Sequence, residues 1–462
     1  MSQAGALAEN LFHFLVYKAG YKPEESAFEL CRHNPAVLKI LQDHPHNQQV
    51  ADFTIRTLAH GTLYTVSSRG PSDMGIVDAI ALKQVLSALL STLRDPSFLL
   101  EKTLKFAMRI LAKTPPVCPK ECRLKDVPSL LTYYSALTRS RHLGARCNGA
   151  LAVLRLARVE LEESSSVNFQ GQKGVKDPPE LSSKRISGNE DQILASFPED
   201  LQRLMLAYGV GSCETFVEAR RSSTVDSALS QFRKDNDARA LGRCLAEHLH
   251  HAPLIIDLND DSSNVSGSTP KLSDILELCT QSLSDSTSST DLDAAAVLEL
   301  HTLLVKKQFR EVLDRAEEEL GRNPELGYAR YAYCLALLDF FLRRRAINMA
   351  LASDDLTPFQ RGRLLYEAVK LLGEQGCWML WEESDNFATD EAAREATSYF
   401  KDAIEKAELY LEMAPPDARQ RSTVLNWYIV VKIIAEAHDI HDDLSNYEVR
   451  TAWLRHPCAS SV

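Results

Sequence analysis

The stretch "ELGRNPELGYARYAYCLALL", residues 319–338, reads as the end of one helix, a tight turn and the start of another. Proline cannot donate to the helix ladder and disfavours α geometry in the residue before it, so Asn323-Pro324 stops the first helix at Asn323. The second helix is expected to start near Leu326. One face of it carries Tyr328, Tyr331, Leu335, Leu338 and Leu342, and Ala329, Ala332, Ala336 and Phe340 follow round a second face. Large residues fill the gap against one neighbour, and small ones permit close approach of another. A helix apolar on two sides must be covered on two sides. Helices stacked side by side meet that demand, the turn resetting direction each time.

The same wide apolar faces recur along the whole chain, while period-2 alternation never persists. The expected fold is therefore all-α: a helical-repeat solenoid, armadillo/HEAT-like in its N-terminal part and tetratricopeptide-like in its C-terminal part. Residues 1–163 form the first domain, with "VADFTIRTLAHGTLYTV" (50–66) and "HLGARCNGALAVLRLARVELEE" (142–163) as representative helices. Residues 164–192, rich in Ser, Gly, Lys and Pro, read as a linker. A helical segment (193–256), a second linker (257–271), a tetratricopeptide-like domain (272–448) and a tail (449–462) follow. The Ser- and Asp-rich "SLSDSTSSTDLD" (282–293) reads as a further soft segment.

Pro324 and Pro358 lie 34 residues apart, the tetratricopeptide period. Counting back twelve positions from each Pro, and from Pro415, gives Val312, Ala346 and Ala403, the small residues such a repeat wants. The Trp-Leu-Gly trio of the first helix is missing, and no unit fits between 359 and 391.

The chain of 462 residues is acidic, with 52 Lys and Arg against 63 Asp and Glu, a net charge of −11. It is repelled on average by phosphate backbones and anionic lipids, so neither nucleic acid nor a membrane is an expected partner. The basic run "LRRR" (342–345) reads as a solvated inter-helix turn. No apolar run approaches the roughly 18 residues needed to span a bilayer. Ten cysteines without framework spacing suit free thiols. Together with a first segment lacking secretory character, they place the chain in the cytoplasm or nucleus.

No G-x-x-x-x-G-K-[ST], G-x-G-x-x-G after a strand, G-x-S-x-G or H-E-x-x-H occurs, so no catalytic residue is assigned. Three groups have donors at metal-ligand spacing. Cys118 and Cys122 lie in a Pro-rich loop, though no second pair follows nearby. His248, His250 and His251 sit at a helix end, where imidazolium is favoured by the dipole. His438 and His441 lie near Asp442, with Asp439 and Asp443 beside them, and make the richest cluster; a fraying acidic helix end explains it equally well. A clamp for a C-terminal carboxylate needs Lys and Asn donors, and the matching positions carry Val297, His301, Tyr331 and Leu335 instead. Tyr328, Tyr331, Leu335 and Asn426 are left as candidate partner-binding residues, with the core as the competing place for the aromatics.

The phrases "RNPELGYARYAYCLAL", "LTPFQRGRLLYEAV", "AELYLEMAPPDARQRSTVLNWYIVVKI" and "DNDARALGRCLAEHL" resemble the helical scaffold of fungal MYND-type zinc-finger proteins, and "LCRHNPAVLKILQDHP" resembles that family's leading region. The resemblance implies a scaffold followed by a finger that binds two zinc ions and docks proline-rich peptides. The final stretch "NYEVRTAWLRHPCASSV" holds one lone Cys458 and no C-x-x-C, so zinc is expected only if a finger lies beyond this chain. The function expected is a non-enzymatic scaffold mediating protein–protein interaction, its partner unnamed by the sequence. A fragment related to SET–MYND lysine methyltransferases is one alternative, with "CRHNPAV" (31–37) a superficial echo of that enzyme's Asn-His loop; a metal-binding protein using the His/Asp cluster is another.

Overall fold

The computed structural model describes residues 23–44, 46–69, 81–94, 99–118, 127–154, 156, 190–252, 272–382 and 390–436. These residues are helical throughout, with short turns between helices and no strand among them. The chain divides into two units. Unit 1 comprises Met1–Asp177, Gly376–Thr397 and Lys432–Ile440; unit 2 comprises Pro178–Gln375, Ser398–Val431 and His441–Val462.

The helices of unit 1 are α1 (Pro23–Arg32), α2 (Asn34–Asp43), α3 (Gln48–Arg69), α4 (Leu82–Thr92), α5 (Glu101–Val117), α6 (Ser129–Thr138) and α7 (143–154). Here α3 is the central element, packed on α1, α2, α4 and α5. Its Ile55, Leu58 and Ala59 join Leu86, Leu89, Ile110 and Leu111 in one core. The position of Asp52 and Arg56, one turn apart on α3, gives both the same buried face. Arg56 Nε donates to Asp52 at 2.7 Å, Thr103 Oγ1 donates to the same carboxylate oxygen at 2.5 Å, and the guanidinium lies over the Phe106 ring at 5.6 Å. This is the pairing a charge needs when it is taken out of water.

Unit 2 contains α8 (Glu190–Ala195), α9 (Glu199–Tyr208), α10 (Glu214–Asp235), α11 (Ala238–His251), α12 (Leu272–Ser284), α13 (Ser289–Val305), α14 (Phe309–Arg322), α15 (Gly327–Ala336) and α16 (Phe340–Leu351). Most of α17 (Pro358–Glu382), α18 (Asp390–Met413) and α19 (Arg421–Glu436) belongs to it as well. From α10 to α16 each helix packs on the next, and α11 also packs on α13, as α13 does on α15. Contact with both the next helix and the next but one is what a stack of helix pairs produces.

Local chemistry sets the turns. Asn236 ends α10 in the left-handed region at φ +56, and Asp237 then caps α11 by accepting from Ala240 N–H at 2.9 Å. At the opening stretch α14 closes at Arg322. Asn323 Oδ1 accepts from Glu325 N–H at 3.1 Å, while Arg322 and Asn323 reach the Asp293 carboxylate at 2.6 and 3.0 Å. Both the Pro turn and its neighbour in the stack therefore hold the corner.

Three expectations need correction. The helix expected to run from Leu326 to Leu342 is two helices: α15 ends at Ala336, Leu337 is extended, and Asp339 opens α16 by accepting from Leu342 N–H at 2.8 Å. The run 342–345 thus lies inside α16, not in a turn. The segment 282–293 is also no soft connection. Asp291 within it is buried and accepts from Arg243 at 2.5 and 2.9 Å and from Ser286 at 2.7 Å, bonds that hold its carboxyl down at about 2.

Candidate partner-docking site

The break at Asp339 decides where α16 points. With the helix starting at Phe340, the 3.6-residue period places Phe340, Arg343, Ile347 and Ala350 on one side. Ile347 and Ala350 are buried, and Phe340 meets the Tyr399 ring edge-on at 5.4 Å. Arg343 donates to Glu367 at 3.0 Å. Beside this face Arg344 pairs with Asp402 and lies over the Tyr399 ring at 5.0 Å. Arg361 of α17 donates to the carbonyls of Leu351 and Ser353 at 2.8 and 2.7 Å, closing the C-terminal end of α16.

The opposite arc of α16 carries Phe341, Leu342, Arg345, Asn348 and Met349, and all five are exposed. Phe341 is 64% exposed, Leu342 56% and Met349 60%, with Leu338 of the preceding turn at 78%. Scattered apolar residues on a surface need no explanation, but three on one arc of a helix, with Leu338 exposed just before it, form a patch. Arg345 lies between Phe341 and Met349, one turn from each. Among the described residues no carboxylate pairs with it, whereas Arg343 and Arg344 are both engaged. Next to this ridge, α16, α17 and α18 enclose a cleft of about 610 Å³, with Arg344, Asn348, Arg361, Asp402 and Lys406 on its walls. Its lining contains no His, Cys, Ser or Tyr, and the two signs of charge are mixed.

The residues singled out in the sequence fall elsewhere. Tyr328 and Tyr331 are buried in the unit 2 core, rings 5.6 Å apart, and burial pushes the phenol of Tyr331 up to about 12. Leu335 is half-buried beside them, and Asn426 is exposed on α19. The aromatic pair thus lies in the core, the competing place the sequence offered for it. His301 joins it: Nδ1 lies 3.2 Å from the Tyr328 hydroxyl, Nε2 has no partner among the described residues, and burial lowers its pKa to about 4, the charge of His248 adding to that.

Of the metal candidates, His438, His441 and Asp442 lie outside the described residues, as does Cys122. Cys118 is buried. His251 pairs with Glu247 at 3.2 Å, and His250 Nδ1 lies 3.3 Å from Gln360 Nε2. Among the described residues no group of three His, Cys, Asp or Glu side chains could hold a metal ion. No helix among them is long and apolar enough to cross a membrane.

The α16 ridge was missed because the helix was read through its break. The signal was Asp339 followed by "FFLRRR", a capping residue directly before an apolar run. No protein-family model, curated protein or solved structure matches the chain.

Proposed function

We propose that this chain is a non-enzymatic scaffold of stacked helices that mediates protein–protein contact, the helical part of a MYND-type architecture. The observation that carries the reading is the ridge of Leu338, Phe341, Leu342 and Met349, held outward by a helix whose other side is fully engaged. Unit 2 supplies the rigid support such a site needs, with the next-but-one helix contacts of a tetratricopeptide- or armadillo-like stack behind it. A partner burying these four side chains gains about 1.5–3 kcal/mol from each if burial is complete. Association itself costs about 4–15 kcal/mol, so this ridge alone supports a weak, exchangeable contact and tight binding needs more surface. The methyltransferase alternative calls for a strand-rich core, and the described residues supply helices only.

Affinity purification of the wild-type chain beside the double variant Phe341→Ser, Met349→Ser tests the proposal. Both positions are exposed, so the variant should keep the wild-type far-UV circular dichroism. A defined set of co-purifying proteins lost from the variant is the expected result; an identical set from both chains would contradict it.

A further inference from the structure

We infer that the α16 ridge docks an amphipathic helix whose apolar stripe carries a carboxylate at its centre. This rests on the docking role proposed above and adds the chemistry of the partner.

The argument starts from Arg345. Three consecutive arginines occupy α16, and two of them are committed, Arg343 to Glu367 and Arg344 to Asp402. Only Arg345 stands on the outward arc, at the middle of the apolar ridge, and no described residue pairs with it. A partner that covered Phe341, Leu342 and Met349 would take the guanidinium out of water too. Leaving it unpaired there would offset much of what the apolar contact returns, so a partner bringing an acceptor is selected over a wholly apolar one. Carboxylate matches the planar fork of Arg in two parallel hydrogen bonds.

Shape narrows the occupant. From Phe341 to Met349 the ridge runs about 12 Å along one helix, two turns, the length over which a second helix presents three or four side chains. An added strand would need a sheet edge to pair with, and none exists among the described residues. At this ridge a nucleic acid would meet one unpaired cation among the described residues, Arg345, on a chain of net charge −11. A second copy, docked ridge to ridge about a two-fold axis, would bring the central Arg345 side chains together, like charge against like.

The probe is a pair of synthetic helical peptides of about 20 residues, alike in a Leu stripe and differing at its central position, Glu in one and Lys in the other. Their binding to the full chain is read by fluorescence anisotropy. The Glu peptide should bind wild type about tenfold or more tightly than the Lys peptide, Arg345→Glu should invert the preference, and Phe341→Ser with Met349→Ser should weaken both. Equal affinity of the two peptides, no binding of either, or a preference that Arg345→Glu leaves unchanged overturns the inference. If that happens while the apolar variant still loses binding or its co-purifying proteins, the docking reading survives; if the apolar variant loses nothing, both fall. Self-association of the wild-type chain that Phe341→Ser abolishes would make a second copy the occupant and also overturn it.

Discussion

At Gly327, the first residue of α15, a Cβ would lie 2.3 Å from the carbonyl oxygen of Asp355 and 3.3 Å from Gln360. The neighbour is backbone and cannot swing aside, so the stack closes at this point only because the residue has no side chain. Gly327→Ala should destabilise unit 2 by about 1–3 kcal/mol, the usual range for overpacking a tight contact, read as a lowered urea midpoint with an unchanged slope. Little in the sequence marked this glycine. It stands among helix-forming residues, and only the partner brought up against it, 28 positions along, makes it special. Tyr328 and Tyr331 show the opposite limit. Their spacing was legible, yet spacing alone does not say whether an aromatic face meets the core or a partner, and packing against His250, His301 and Phe359 sends it inward.

For the elements, the stop between α15 and α16 matters most. A continuous helix from Leu326 would have satisfied every apolar position by period; three residues, Leu337-Leu338-Asp339, change the phase instead. The carboxylate of Asp339 takes up the Leu342 N–H that a continuous helix would have bonded to a carbonyl four residues back. Asp339→Ala should cost about 1 kcal/mol and Asp339→Asn much less, since Asn caps nearly as well; thermal melts of the two variants side by side measure the difference. A larger consequence is reserved for binding, because the cap sets the direction of the Phe341–Met349 ridge. Helix content and the turn at Asn323-Pro324 were thus readable from propensity and proline chemistry. The phase of α16 was not, since one Asp among apolar residues weighs little against an unbroken period. Asp291 went unread for a related reason: a Ser- and Asp-rich run looks solvated until Arg243, 48 residues earlier, arrives to pair with it.

Over the whole molecule, the all-helical class followed directly from the missing period-2 alternation, and the division into units did not, because segments distant in sequence are gathered into each. Protonation gives a global test of the packing in unit 2. His301 has its ordinary pKa of 6.5 when unfolded and about 4 when buried, so the unfolded chain binds the proton first as pH falls. The stability that His301 contributes is therefore full above about pH 6.5, declines between 6.5 and 4 by on the order of 3 kcal/mol, and changes no further below. His250, lowered in the same direction by burial, adds to that slope. His301→Gln should flatten it, measured as urea midpoints at stepped pH. The central claim, that this chain works by presenting the α16 ridge to another protein, meets its most direct test in site-specific photo-cross-linking. A benzophenone side chain placed at Phe341 or at Met349 should trap the same discrete partner in cells, and one placed at exposed Lys234 on α10 should not. Cross-links equally frequent and diffuse from all three positions would contradict it.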